Sequence, residues 1–358
     1  MIASPPGLGF RLSVQLKHWR YDLRLAHTWT IARGSGTDIF PVVLLQLTGS
    51  DGAIGLGESA PVARYQESVQ TVMAFCDQVD PRKLSFADIP GSMKYLDTLA
   101  PGNMSAKCAI NIALVDGAAR QAGKPLCDYL GLGFRESQHL TSFSIGIDKP
   151  EVIRQKVLAA ENYPVLKLKL GSPDDKLNLG ALREAAPHKP VRVDANEGWP
   201  TKEKALAMIE WLAGDGHIQF VEQPMPAASD PREMAWLKER SPLPLFGDES
   251  FHTAADAAQC AECFHGVNIK LGKTAGVSGG YAALQAARRA GLQTMIGCMI
   301  ETSVLISAAA HLAELANHLD LDGNLLTTND PYLGVTAEKG ILSFAHAPGK
   351  TGLRVKAK

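Results

Sequence analysis

The sequence lacks the features that mark membrane, nucleic-acid-binding and disulfide-stabilised proteins. No apolar run approaches the ~18 residues that can cross a bilayer, and residues 1–9 lack the basic and apolar segments of a secretory signal. The 36 basic and 37 acidic residues balance, so we expect no charged surface for nucleic acid or an anionic membrane. These absences predict a cytoplasmic protein that binds neither a membrane nor a nucleic acid.

Cysteine is also scarce, with six scattered residues and a single closely spaced pair. Cys260 and Cys263 have the spacing of a redox or zinc pair, but no second pair accompanies them. They lie in an alanine-rich stretch that has a helical pattern, which favours two buried helix thiols in a reducing compartment. A redox or metal role is the alternative.

What the sequence does contain is enough apolar material for a large core in about two domains. It has 358 residues, of which 46% are hydrophobic, and a mean hydropathy of −0.04. Strand patterns followed by helical patterns predict an α+β unit over residues 1–130. From about residue 141, short apolar strands alternate with helical segments in units of about 25 residues. The second part, residues 131–358, is therefore predicted to be a parallel (β/α) barrel of the α/β class.

Charged residues end five consecutive predicted strands of this barrel. Residues 165–171 form an apolar strand interrupted by Lys167 and Lys169, whose side chains point to the same face. The next four strands end in charged residues spaced 22 to 28 residues apart along the chain, namely Asp194, Glu222, Asp248 and Lys270. Because the active sites of (β/α) barrels lie at the carboxyl ends of the strands, these side chains are expected to meet at one rim.

Three converging carboxylates flanked by lysines suit proton transfer beside a metal. Carboxylates that repel one another are stabilised by a hard divalent cation, and all-oxygen ligands favour Mg²⁺ over zinc. Lys169 and Lys270 would then face each other across the barrel mouth, on either side of the α-carbon of a bound carboxylate. This arrangement predicts removal of an α-proton on one face and its return on the other. For each residue alone, a helix cap or a surface position is the alternative.

These motifs resemble the enolase superfamily, in its muconate-lactonising subgroup, over nearly the whole chain. The resemblance implies a modified barrel with an N-terminal capping domain, toward which the C-terminal segment returns. It implies Mg²⁺ on Asp194, Glu222 and Asp248, and Lys169 and Lys270 as the two acid/base residues. It further implies Lys167 as an electrostatic helper, and Asn196 and Glu249 as residues that support the ligands.

Further residues resemble those of the dipeptide epimerases in this subgroup. Asp320 and Asp322 look like their Asp-x-Asp pair, and two carboxylates suit the free ammonium of a dipeptide; capping of the next turn is the alternative. Ser144, on the first barrel strand, is also predicted to contact the substrate. Arg33 lies in a segment similar to the capping loops of L-Ala-D/L-Glu epimerases and would pair with a glutamate carboxylate, unless it is an ordinary surface arginine. Ala275 stands where the family usually has glycine.

The resemblance implies a Mg²⁺-dependent dipeptide epimerase acting on L-Ala-D/L-Glu of peptidoglycan origin. The reaction would invert the α-carbon of the C-terminal residue through an enediolate, in a homo-oligomer whose only other partner is the dipeptide. An N-acylamino-acid racemase, an o-succinylbenzoate synthase and a muconate cycloisomerase are alternatives that use the same lysines and metal. A barrel that binds dipeptides without catalysis is an alternative of another class.

Overall fold

The computed structural model describes residues 14–32, 34 and 36–358. Its N-terminal part is an antiparallel three-stranded sheet followed by helices. The elements are β1 (Val14–Trp29), β2 (Thr37–Gly49), β3 (Ile54–Ser59), α1 (Val69–Asp77), α2 (Ile89–Leu99), α3 (Met104–Gln121) and α4 (Leu126–Tyr129).

Helix α3 lies directly on the hairpin of β2 and β3 because two strand positions carry no side chain. A Cβ at Gly55 would overlap the carbonyl oxygen of Ala113, and one at Gly57 would overlap that of Ala109. Residues 105–119 are buried on every side of the helix, as expected for a helix enclosed between layers. The helix contributes to both large apolar cores, so it joins the N-terminal part to the barrel.

The second part is an eight-stranded parallel sheet with helices between the strands, as the sequence predicts. Its elements are β4 (His139–Leu140), β5 (Phe143–Ile145), α5 (Pro150–Ala159), β6 (Leu166–Lys169), α6 (Asp175–Ala185), β7 (Val191–Asp194), α7 (Lys202–Ala213), β8 (Ile218–Glu222), α8 (Pro231–Arg240), β9 (Leu245–Gly247), α9 (Ala257–Cys263), β10 (Gly266–Lys270), α10 (Val277–Arg289), β11 (Gln293–Gly297), α11 (Ser303–Ala310) and β12 (His318–Asp320). The strands of this sheet follow the chain order from β5 to β12.

The sheet closes where its first and last strands meet. Thr141 forms a parallel bridge with Leu319, and the backbone N–H of Ser142 donates to the Leu319 carbonyl at 3.1 Å. The predicted alternation of strand and helix thus builds a barrel. The N-terminal cap and the barrel are those of the predicted fold class.

The C-terminal segment adds small antiparallel pairings outside the barrel. Its strands are β13 (Tyr332–Leu333), β14 (Thr336–Glu338), β15 (Ile341–Ser343) and β16 (Lys356–Ala357). The backbone N–H of Leu353 donates to the Asp116 carboxylate on α3 at 2.7 Å, and that of Leu126 donates to the Gly352 carbonyl at 2.8 Å. The end of the chain therefore contacts the helices that lead from the N-terminal part into the barrel.

The described elements bear on the predicted cysteine pair and on the length of apolar helices. Cys260 and Cys263 are buried thiols of α9 and are free, as the helical pattern predicts. Within the described ranges, no helix is both long enough and apolar enough to traverse a lipid bilayer.

Candidate active site

Three carboxylates from neighbouring strands converge at the carboxyl rim of the barrel. Asp194 ends β7 and Glu222 ends β8, and the two residues are direct partners in the strand register. Asp248 follows β9 by one residue. Each of the three offers an oxygen within 4.8 Å of the others, and all three side chains are buried. The in-phase strand ends predicted from the sequence thus lie together.

The electrostatics of this cluster fit a hard divalent cation. Burial and the neighbouring Asp194 carboxylate raise the pKa of Glu222 to about 7. Glu222 Oε2 and Asp248 Oδ2 are buried, and each has one close ammonium partner, Lys167 at 2.6 Å and Lys270 at 2.8 Å. Carboxylate oxygens that repel one another and retain unused lone pairs are a suitable ligand set for an oxygen-seeking metal. The three residues could therefore hold such an ion.

Lys167 lies beneath the cluster with its ammonium between three acidic groups. Its Nζ is 2.6 Å from Glu222 Oε2, 3.2 Å from Asp194 Oδ2 and 2.7 Å from Asp320 Oδ2. Burial alone disfavours its charge, but the three carboxylates outweigh burial and raise the pKa of Lys167 well above its ordinary value. The side chain is therefore a fixed positive charge at the centre of the site.

Lys169 and Lys270 approach the same cavity from opposite sides of the barrel. They end β6 and β10, which are separated by three strands in the eight-stranded sheet. Lys169 Nζ is 2.7 Å from Asp194 Oδ2, and Lys270 Nζ is 2.8 Å from Asp248 Oδ2. Both lysines line the cavity. Each lysine is thus held against one of the candidate metal ligands and faces the space between them.

Asp320 and Asp322 also line this cavity, and their surroundings differ. Asp320 Oδ1 accepts from the Ser142 hydroxyl at 2.7 Å, and its other oxygen pairs with Lys167. Asp322 Oδ2 accepts from the backbone N–H of Ser144 at 2.6 Å. Burial and the adjacent Asp320 charge raise the pKa of Asp322 to about 7. Of the two, Asp322 is the carboxylate whose charge is less compensated.

The cavity has a volume of about 440 Å³ and is formed by both parts of the chain. The N-terminal part contributes β1, β2 and the loop that carries a short 3-10 helix, Ala63–Tyr65. Arg64 of this loop makes two hydrogen bonds of 2.9 Å to the Glu197 carboxylate at the barrel rim. Much of the remaining wall is apolar and includes Trp29, Ile31, Phe40, Val62, Ile300 and Leu326.

Of the other predicted site residues, Ser144, Asn196 and Glu249 line this cavity. The backbone N–H of Asn196 donates to Asp194 Oδ1 at 2.9 Å, so the residue orients a candidate ligand through its main chain. Arg33 lies outside the described residues, and its predicted contact stays a prediction.

Two residues that contact the carboxylates had no predicted role. Asn268 Nδ2 donates to Glu222 Oε1 at 2.7 Å, and Lys273 Nζ is 2.6 Å from Asp248 Oδ1. Asn268 precedes Lys270 by two residues on the same strand and so shares its face, which is a signal that the sequence offers. Lys273 lies in the loop after the strand, and its contact depends on how that loop folds back.

Comparison with known families agrees with this geometry. The "Enolase C-terminal domain-like" family matches residues 152–349, and the N-terminal domain family of mandelate racemase / muconate lactonizing enzyme matches residues 21–131. The chain belongs to the enolase superfamily. The resemblance drawn from the strand-end motifs is therefore confirmed.

Several relatives within the superfamily are named as epimerases. An L-Ala-D/L-amino acid epimerase from Pedosphaera parvula is 69% identical over 347 residues, covering 96% of this chain and all of that protein. A substrate-liganded L-Ala-D/L-Glu epimerase from Bacillus subtilis has a TM-score of 0.89 at 27% identity, covering 97% of this chain and 99% of that one. A dipeptide epimerase from Cytophaga hutchinsonii, complexed with Mg and D-Ala-L-Val, has a TM-score of 0.89 at 26% identity over 97% and 96% of the two chains.

Proposed function

We propose that this enolase-superfamily chain is a Mg²⁺-dependent dipeptide epimerase that inverts the α-carbon of the C-terminal residue. The observation that carries the proposal is the placement of Lys169 and Lys270 on opposite sides of one cavity, beside a buried cluster of three carboxylates. The names of its relatives support the same chemistry and add the class of substrate. The enzyme is an isomerase in this reading.

The proton transfer requires the two lysines to be in different protonation states. A neutral lysine on one face takes the α-proton, and the protonated lysine on the other face donates a proton to the carbanionic carbon. Return of the proton on the opposite face inverts the stereocentre, and no other bond is made or broken. Mg²⁺ held by Asp194, Glu222 and Asp248 would supply positive charge beside the substrate carboxylate. Lys167 adds a fixed positive charge from below.

The other end of the substrate carries a free ammonium group. Asp322 suits it, because burial and the Asp320 charge disfavour its ionised form, and its Oδ1 lies 3.8 Å from the Cys298 thiol, a weak donor. An ammonium at this position would stabilise the ionised carboxylate and be held by it. Asp320 then acts on the ammonium at longer range, because its oxygens are engaged by Lys167 and Ser142.

The side chain of the C-terminal residue has two candidates. Glutamate is the first, with Arg33 as its predicted partner, and it places the substrate among peptidoglycan peptides. The apolar cavity wall favours a second candidate, an uncharged side chain. Arg64, the other arginine in these loops, is already paired with Glu197 and so does not offer a free charge to a glutamate side chain. The name of the Pedosphaera parvula relative also allows a range of second residues. A location in the cytoplasm and assembly into a homo-oligomer stay predictions.

Proton NMR in D₂O with Mg²⁺ and L-Ala-L-Glu tests the proposal. We expect the glutamyl α-proton signal to decay while the L,D diastereomer appears, and a chelator should stop both changes until Mg²⁺ is restored. A panel that replaces glutamate with valine, leucine or lysine separates the two candidates for the side chain. Exchange of N-acylamino acids without exchange of any dipeptide would instead support the racemase alternative. Binding of a dipeptide without exchange would support the non-catalytic one.

Variants of the two lysines test the assignment of the two faces. Lys169→Ala and Lys270→Ala should each lower epimerisation by about a thousandfold, and each should retain deuterium exchange from one stereoisomer only. Lys94→Ala, at an exposed position of α2, is the control and should exchange both isomers at the normal rate. Exchange of both isomers in either active-site variant would contradict the two-base mechanism.

A further inference from the structure

A second cavity adjoins the candidate active site. Its volume is about 220 Å³, and it shares Trp29, Ser144 and Leu326 with the main cavity. Its remaining wall is largely apolar, with Leu25, Phe143 and Leu325 among its residues. The polar exceptions are His27, Thr28 and Lys156, and the Lys156 ammonium is paired with Asp148 at 2.9 Å. The space therefore suits a hydrocarbon side chain.

Trp29 forms the partition between the two cavities together with Ser144 and Leu326, and two contacts hold its ring in place. The Lys169 ammonium lies 5.9 Å from the ring centroid, within the range of a cation–π contact. The ring also packs against Gly146, where a Cβ would lie 3.3 Å from a ring carbon. The glycine leaves the space that the indole occupies, so the position of the partition is built into the fold.

The second cavity lies at the ammonium end of the proposed substrate. Ser144 borders both cavities, and its backbone N–H holds the carboxylate of Asp322, the residue that suits the substrate ammonium. A dipeptide bound by Asp322 would therefore direct the side chain of its first residue toward Trp29. With the partition in place, we expect room there for a small side chain only.

We infer that Trp29 sets the size limit for the N-terminal residue of the substrate and closes off a preformed apolar subsite for larger ones. The inference rests on the proposed function, because it takes Asp322 as the ammonium site. It adds a residue that determines specificity at the end of the substrate away from the reacting carbon. Replacement of Trp29 by a smaller residue should join the cavities and admit a branched or aromatic first residue such as leucine or phenylalanine.

The test compares kcat/KM for L-Leu-L-Glu and L-Ala-L-Glu in the Mg²⁺-loaded enzyme. The wild type should favour L-Ala-L-Glu, and Trp29→Leu should raise the ratio for the leucyl substrate at least tenfold, a shift of the size expected from a few methylene groups in an apolar pocket. Absolute rates should fall for both substrates because Trp29 contacts Lys169. The ratio is the readout, since a general loss of activity does not change it.

Two further variants make the result specific. Trp29→Leu combined with Leu325→Phe refills the second cavity, and the gain in the ratio should disappear. Trp236→Leu is the matched control: this tryptophan of α8 also lies over a lysine, at 5.4 Å from Lys202, but borders neither cavity. Its ratio should equal that of the wild type. Trp29→Phe provides a milder change if the leucine variant does not fold.

The outcomes separate this inference from the proposed function. An unchanged ratio in both Trp29 variants, or a wild type that accepts both substrates equally, would overturn the inference while leaving the epimerase intact. If no dipeptide exchanges in the wild type, the proposed function fails. In that case, calorimetry would measure the affinities of both dipeptides for the wild type and for Trp29→Leu. The same ratio of the two affinities in both proteins would overturn the inference.

Discussion

Ala275 lies in a backbone conformation that a residue with a Cβ rarely adopts, in the loop that follows Lys270. Its φ is 56°, in the left-handed region, which costs an L-residue roughly 1–2 kcal/mol. Glycine avoids this cost but gives the unfolded chain more freedom, which removes about 0.4–1 kcal/mol. The substitution Ala275→Gly is therefore expected to stabilise the protein by roughly 0–1.6 kcal/mol.

The next residue should respond in the opposite direction. Gly276 has a φ of 98°, and a Cβ there would lie 2.7 Å from Asn111 Oδ1 and 2.8 Å from Asn111 Cβ. Asn111 cannot move aside freely, because its amide is hydrogen-bonded to both the backbone and the hydroxyl of Ser278 at the start of α10. Backbone strain and overpacking together predict that Gly276→Ala destabilises by roughly 2–4 kcal/mol.

Thermal unfolding followed by circular dichroism distinguishes these effects. For a chain of this size, Ala275→Gly should raise Tm by about 1–2 °C, and Gly276→Ala should lower it clearly. Ala286→Gly in the middle of α10 is the matched control and should cost about 1 kcal/mol. If Ala275→Gly lowered Tm as Ala286→Gly does, the left-handed strain at position 275 would be refuted.

Three further predictions concern ionised side chains. In steady-state assays, Arg64→Gln should raise KM several-fold with little change in kcat, because the substitution releases the cap loop from Glu197. Arg183→Gln is the control and should leave KM unchanged. It breaks a similar pair of hydrogen bonds, to Asp215, away from the cavity. Burial raises the pKa of Glu58 to about 7, so the stability of wild type relative to Glu58→Gln should fall by about 3 kcal/mol as pH rises from 4.5 to 7, measured by urea unfolding; a flat difference would contradict this. Burial lowers the pKa of His311 to about 3, so stability should be lost as pH falls from 6.5 toward 3, and His311→Asn should flatten that part of the profile of Tm against pH.

The strand ends were predictable because two simple signals coincide in them. Short apolar runs such as 191–194 and 218–222 end in a charged residue and recur at the interval of a strand–helix unit, and parallel topology then brings their ends together. The positions of Lys169 and Lys270 follow from the same repeat. Strands β6 and β10 are four positions apart in a barrel of eight strands, so they lie opposite each other. Local pattern and topology were sufficient for these residues.

Other features depend on contacts that the local sequence does not reveal. Helix α2 carries Pro90 and Gly91 in its first turn, and this pair by itself suggests a turn rather than a helix. Proline is tolerated in the first turn of a helix, and the Asp88 side chain caps this end by accepting from the Gly91 N–H. The position of Lys273 on Asp248 likewise follows from the fold of the loop around Ala275. The sequence marks such residues only as ordinary polar positions.

The ammonium of Lys167 links parts of the barrel that are synthesised far apart in time. It contacts Glu222 on β8 and Asp320 at the end of β12. Asp320 lies 153 residues after Lys167 in the chain. Until β12 is in place, this buried charge lacks one of its three counter-charges, and an incomplete barrel must either leave Lys167 hydrated or keep it neutral. The site is therefore completed only when the last strand closes the barrel. A nascent or truncated chain should be inactive even with every proton-transfer residue and metal ligand already made, so the cell would gain activity in a single late step of folding.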